Sequence, residues 1–193
     1  MWISTIPYNE SSGELRTHYD RQARALGEPA EMTMAGSLYP AIVGARLDLY
    51  AVTERCPSGL TPHQRNLIRF VTSVLNQSRH CMSQLSIKLR STGLTDEEIA
   101  ALADDPASVE LEDADAAVVA YTIKLTRDPG SITQADIDEL RTAGFGDLDI
   151  LDINSQCAHL NYANRVVLGL GIRTIVDPDF DAHNTIPPLT PSI

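Results

Sequence analysis

Leu60-Thr61-Pro62-His63-Gln64-Arg65-Asn66-Leu67-Ile68-Arg69-Phe70-Val71-Thr72-Ser73-Val74-Leu75-Asn76-Gln77-Ser78-Arg79-His80-Cys81-Met82-Ser83-Gln84-Leu85 is the stretch that decides the fold. Thr61 can accept from the exposed amides of a first helical turn, Pro62 suits the first helical position, and Gln64 completes a capping box. The spacing of Leu67, Val71, Val74 and Leu75 then predicts a helix to about Gln77 with one apolar face. If that helix ends there, Ser78 is placed to cap a second one, with Cys81 as its third residue.

Working outward, the same punctuation recurs. Thr95 with Glu98 forms a second capping box, Leu94 and Ile99 are spaced as a hydrophobic staple, and Gly93 terminates the preceding helix, which fixes a turn near 92–95. Ala114, Val118, Tyr121 and Leu125 repeat at helical spacing until Asp128-Pro129-Gly130. Thr133 with Asp136, and Asp147 ahead of Ile150, mark two further N-termini. The last helix is predicted from about Leu148 to Leu170, with Ile150, Ile153, Cys157, Leu160 and Val167 on one stripe and Gly171 as its stop. Segments 13–25 and 39–52 also read as helices. No stretch alternates with period two, so the expected class is all-α. Prolines at 178, 187, 188 and 191 forbid a helix in the tail, which is expected to be extended or disordered and able to wrap a neighbour in an oligomer.

The totals agree with one helical domain over residues 1–193, its core at about 3–172 and an extended tail over 173–193. Apolar residues make up 43% and aromatic ones only 5% of the 193 residues, which calls for a core of Leu, Ile, Val and Ala. Twenty-six acidic against fifteen basic side chains give a net charge of −11, which repels a polyanion, and no basic patch offsets it. No nucleic-acid partner is expected. The N-terminal residues do not read as a signal peptide, and no run approaches the roughly 18 apolar residues of a membrane span, so the expected location is the cytoplasm.

Cys56, Cys81 and Cys157 lack Cys-x-x-Cys spacing, which argues against a zinc site and a disulfide scaffold; no metal or cofactor is expected. A Cys56–Cys81 bridge is excluded by the intervening helix of about 17 residues, roughly 25 Å long. Cys81 is the candidate nucleophile: a thiol in the first turn of a helix, beside Arg79 and His80, is expected to have a lowered pKa. The plain alternative is a buried cysteine acting as a small apolar group. Cys157 falls on the core stripe of the last helix. There is no Gly-rich phosphate loop, no Gly-x-Ser-x-Gly elbow and no His-Glu-x-x-His pair. Acidic runs such as Asp96-Glu97-Glu98 lie at helix starts, where they complement the dipole.

From Ile3 to Ile172 the sequence resembles the peroxidase-related branch of the alkylhydroperoxidase D (AhpD) and carboxymuconolactone decarboxylase superfamily. The resemblance is carried by Ile6-Pro7 with Gly13-Glu14-Leu15, by Leu60-Thr61-Pro62 with Arg65, by Lys124 to Ser131, by Ala143-Gly144-Phe145, by Ile150 to Ile153 and by Asn161 to Arg165. It implies an AhpD-like helical bundle and a homo-oligomer, whether dimer, trimer or hexamer. In that family a Glu precedes Cys-x-x-Cys-x-x-x-His; the second Cys attacks a hydroperoxide and the first resolves it. Carried over, the Glu falls on Asn66, the first Cys on Ser78, the second on Cys81 and the His on Leu85, while His80 matches a histidine some members place before the second Cys. The implied site is thus Cys81, His80, Ser78 and Asn66. Ser78 cannot form a disulfide and Asn66 cannot act as a general base, so a dithiol cycle is excluded and a one-cysteine cycle through sulfenic acid remains. A decarboxylase-type lyase without thiol chemistry and a catalytically silent ligand-binding oligomer are the alternatives.

Overall fold

The computed structural model describes residues 1–180, and among them every regular element is helical. The chain forms α1 (Gly13–Leu26), α2 (Glu31–Met34), α3 (Pro40–Glu54), α4 (Pro62–Leu75), α5 (Arg79–Ser91), α6 (Asp96–Asp104), α7 (Asp113–Arg127), α8 (Gln134–Thr142) and α9 (Asp147–Gly169). The all-α expectation holds. Segment 172–177 is free of helix, while the wrapping role expected of the tail falls on residues 181–193, outside the described ones.

Two compact units can be distinguished, one of residues 1–57 with 165–173 and one of residues 58–164 with 174 onward. In the first, Leu15, Tyr19 and Val43 form the buried centre, joined by Ile6, Tyr8, Met34 and Leu47. Trp2 lies against Gly171, whose φ of +74° ends α9 and whose missing Cβ leaves room for the indole.

In the second unit α4 packs most extensively on α5 and α7. Leu60, Ile68, Val118, Tyr121, Leu140, Ile150, Ile153 and Cys157 form its apolar centre. The capping boxes of Thr61 with Gln64 and of Thr95 with Glu98 are both complete. Asp136 accepts from the Thr133 amide and hydroxyl at the start of α8. Gly93, at φ +106°, ends α5 as expected, since only glycine adopts that angle without Cβ strain. The four-residue α2 has no periodic signal in the sequence, being shorter than one heptad.

Membrane passage through a helix finds no support: no helix among the described residues is long and apolar enough to cross a bilayer.

Candidate active site

Cys81 is the third residue of α5 with Ser78 at the N-cap, as the sequence predicts, but the cap itself is unmade. Thr61 and Thr95 sit at ψ 157° and 162°, the extended geometry that turns a hydroxyl onto the first-turn amides. Ser78 is at ψ 80°, and its side chain makes no capping hydrogen bond. The cause lies one residue earlier. Gln77 has φ +55°, a left-handed conformation costly for a residue with a Cβ, and it turns the chain sharply between α4 and α5.

Three polar groups are consequently left at the head of α5. Ser78 Oγ is fully buried and has no hydrogen-bond partner of good geometry. The Arg79 amide donates to Gln77 O and the Met82 amide to Ser78 O, but among the described residues the amides of His80 and Cys81 find no acceptor. The first-turn amides of a helix have no partner within it, and here no cap supplies one.

The Cys81 thiol, 7% exposed, lies within this setting. Burial pushes its pKa above the ordinary thiol value, and the nearby Ser78 hydroxyl pulls the other way without winning. The lowered pKa expected from sequence is therefore corrected: desolvation of the charged sulfur outweighs the Ser78 hydroxyl, and the shift is upward.

His80 is bound to the chain that follows α9 and makes no hydrogen bond to the thiol. Its Nδ1 lies 2.7 Å from Thr174 O, which can only accept, so Nδ1 carries a proton. Its Nε2 lies 3.2 Å from the Gln84 side-chain amide. Further along α5, Ser83 Oγ accepts from the Val176 amide, and Ser86 Oγ and Arg90 Nη1 donate to Asp177 Oδ2 at 2.7 and 2.6 Å. With 3.6 residues per turn, His80, Ser83, Ser86 and Arg90 share one face and Cys81, with Leu85, lies on the other. Segment 174–177 thus braces the back of the helix that presents the thiol. Burial raises the Asp177 carboxyl, but Ser86, Arg90 and the Asp179 amide together outweigh it and hold it below the usual carboxylate range.

Asn66 is buried on α4 and among the described residues makes no hydrogen bond to Cys81, Ser78 or His80. Leu85, also buried, brings no titratable group. The structure thus gathers Ser78 and Cys81 at one helix start, turns His80 to the brace, and leaves Asn66 without a polar link to them.

Sequence reading missed a polar seam between α4 and α9. Asp152, buried, accepts from Arg65 at 2.9 Å and from Ser58 at 2.6 Å, and its other oxygen accepts from Gln156 Nε2. Gln156 Oε1 in turn accepts from Arg69. Arg65 with Arg69 and Asp152 with Gln156 are both i, i+4 pairs, a signal legible only once the two helices are known to face each other. Among the described residues no cluster of His, Cys, Asp or Glu could hold a metal. A separate apolar groove of about 500 Å³ lies along α7, lined by Leu111, Val119 and Ile123 among others, and includes none of the site residues.

The carboxymuconolactone decarboxylase family profile matches residues 40–124, a span that contains Asn66, Ser78, His80 and Cys81. Over that stretch the chain is similar to the carboxymuconolactone decarboxylase family, and its fold is the AhpD-like helical one. Among solved structures it is similar to an AhpD-core peroxidase-related protein of Ralstonia eutropha JMP134, at 20% identity, TM-score 0.81 and 93% coverage of both chains. It is also similar to a peroxidase-related protein of Silicibacter sp. TM1040, at 21% identity and TM-score 0.71, covering 90% of this chain and 88% of that one. A third is the debrominase Bmp8, solved as a cysteine-to-alanine variant with 2,3,4-tribromopyrrole, at 16% identity and TM-score 0.73, covering 93% and 94%. No curated protein matches the chain. At these identities the structural likenesses speak for the superfamily's fold and not for one reaction.

Proposed function

We propose that the protein is a one-cysteine, thiol-dependent hydroperoxide reductase in which Cys81 is the attacking group. The observation that carries this reading is the place of Cys81 in the uncapped first turn of α5, with serine and not a second thiol at the N-cap. The ionised sulfur attacks one peroxide oxygen; the S–O bond forms, the O–O bond breaks, and the sulfur loses two electrons as the other oxygen leaves with a proton as alcohol. An external thiol then displaces water from the sulfenic acid to give a mixed disulfide. A second external thiol releases Cys81 as thiol and departs in a disulfide, so one peroxide consumes two thiols. Because burial raises the thiol pKa, the first step should be slow at neutral pH and accelerate in alkali.

Peroxide-dependent consumption of an external thiol, followed in the wild type and in Cys81→Ser, tests the reading. Activity should vanish in the variant; equal turnover in both overturns it. Such an outcome would favour chemistry on the same scaffold that bypasses the thiol, such as a lyase or a dehalogenation like that named for Bmp8. That second reading draws support from the protonated resting thiol and from Asn66 and Leu85 at the positions of the family's acid and histidine. We also take the protein to work as a cytosolic homo-oligomer, an expectation that light scattering checks directly for the assembly.

A further inference from the structure

Ser78 is the departure from the family pattern that most alters the chemistry, and its surroundings suggest what it does instead of resolving a disulfide. Its hydroxyl is fully buried without a well-formed hydrogen bond, at the N-cap of the turn whose third residue is Cys81. The amides of His80 and Cys81 are likewise without acceptors. First-turn amides are open at many helix starts, but a buried hydroxyl without a well-formed bond is rare, and this one sits at the cap position of the turn that holds the thiol. The resting thiol cannot satisfy it, because a neutral S–H is a weak acceptor. An oxygen attached to that sulfur can.

We infer that Ser78 Oγ and the backbone amides of His80 and Cys81 form an oxyanion cradle for the oxygen of a Cys81 sulfenic acid, holding the oxidised cysteine until an external thiol arrives. This rests on the one-cysteine reading above and goes beyond it, since it makes Ser78 a positioning residue for the intermediate. The oxygen enters from the peroxide with the S–O bond; the sulfenic proton is lost to solvent as the sulfenate forms, and the Ser78 hydroxyl and the two amides donate to the resulting charge. A sulfenate whose lone pairs are engaged in this way is a poorer nucleophile toward a second peroxide, so further oxidation to sulfinic acid slows. The serine thereby protects the intermediate that a resolving cysteine would otherwise trap.

Intact-protein mass spectrometry with peptide mapping, after exposure to hydrogen peroxide without added thiol, provides the test on the wild type, Ser78→Ala and Ser78→Cys. In the wild type Cys81 should gain one oxygen and hold it. Ser78→Ala should pass to the doubly oxygenated form about tenfold faster, the loss expected for one hydrogen bond to a charged group. Ser78→Cys should instead lose two hydrogens to an internal disulfide, showing that the side chain at 78 reaches the sulfur. Equal rates of second oxidation in the wild type and Ser78→Ala, or a Ser78→Cys protein that forms no disulfide, would overturn the cradle while leaving the one-cysteine reading intact. Absence of any oxygen at Cys81 in all three would remove that reading as well. Folding is controlled by thermal melting of the reduced proteins: Ser78→Ala deletes a hydroxyl that makes no well-formed bond, so its melting temperature should not fall. A drop of several degrees would contradict the premise.

Discussion

Cys81 and Cys157 are both buried thiols in the same compact unit, and both have their pKa pushed up by burial, yet their surroundings differ in kind. Cys157, wholly inaccessible, lies in the middle of α9 with Thr126 Oγ1 at 3.3 Å, Asn161 Nδ2 at 3.5 Å and Thr72 Oγ1 at 3.6 Å, and Thr122 O facing its proton. Its polar needs are met. Cys81 sits at a helix start where donors stand unmatched. Burial alone therefore does not distinguish a structural thiol from a chemical one; the state of the neighbouring donors does.

Stability should break the comparison most visibly. Cys157→Ala removes a packed sulfur and disturbs three side chains bonded around it, so a loss of about 2–3 kcal/mol is expected, seen as a melting temperature lower by several degrees. Cys81→Ala, with fewer partners to disturb, should cost clearly less. Matching losses from denaturant titration would erase the distinction.

Alkaline pH sharpens it next. Both thiols are held protonated in the fold, so the unfolded chain releases protons first as pH rises. The stability they contribute is whole below the ordinary thiol pKa of 9.0 and declines as pH climbs from there through the raised folded values. The wild type should lose stability in that range, and replacing either cysteine by alanine should flatten part of the slope. A wild-type profile no steeper than that of the double replacement would contradict both shifts.

Thr126→Val should have the smallest effect, about 1 kcal/mol, because it keeps the volume and deletes the contacts to Cys157 and to Asn161 Nδ2, which retains the Cys157 carbonyl as acceptor. If instead Cys157 becomes readily alkylated in the native variant, its protection owes more to that hydroxyl than to its depth.

Much of the fold was legible from local chemistry. The boxes at Thr61 and Thr95, the stop at Gly93 and the ends of α7 and α9 each depend on residues within a turn or two, and such signals survive translation into structure. The site was legible only as a place. Ser78 occupies the predicted cap, but the left-handed Gln77 before it rotates the hydroxyl off the amides, and nothing in the letters Asn-Gln-Ser-Arg announces that angle.

The helical class, most helix starts and the place of Cys81 in a first turn could be read from the letters alone, because capping and periodicity are short-range interactions. The sign of the thiol's pKa shift, the partner of His80 and the Arg65–Asp152–Gln156–Arg69 seam needed the packed molecule. Each of these joins residues separated by tens of positions or depends on how much water is excluded, and solvent exclusion belongs to the packed molecule and not to any segment of its chain.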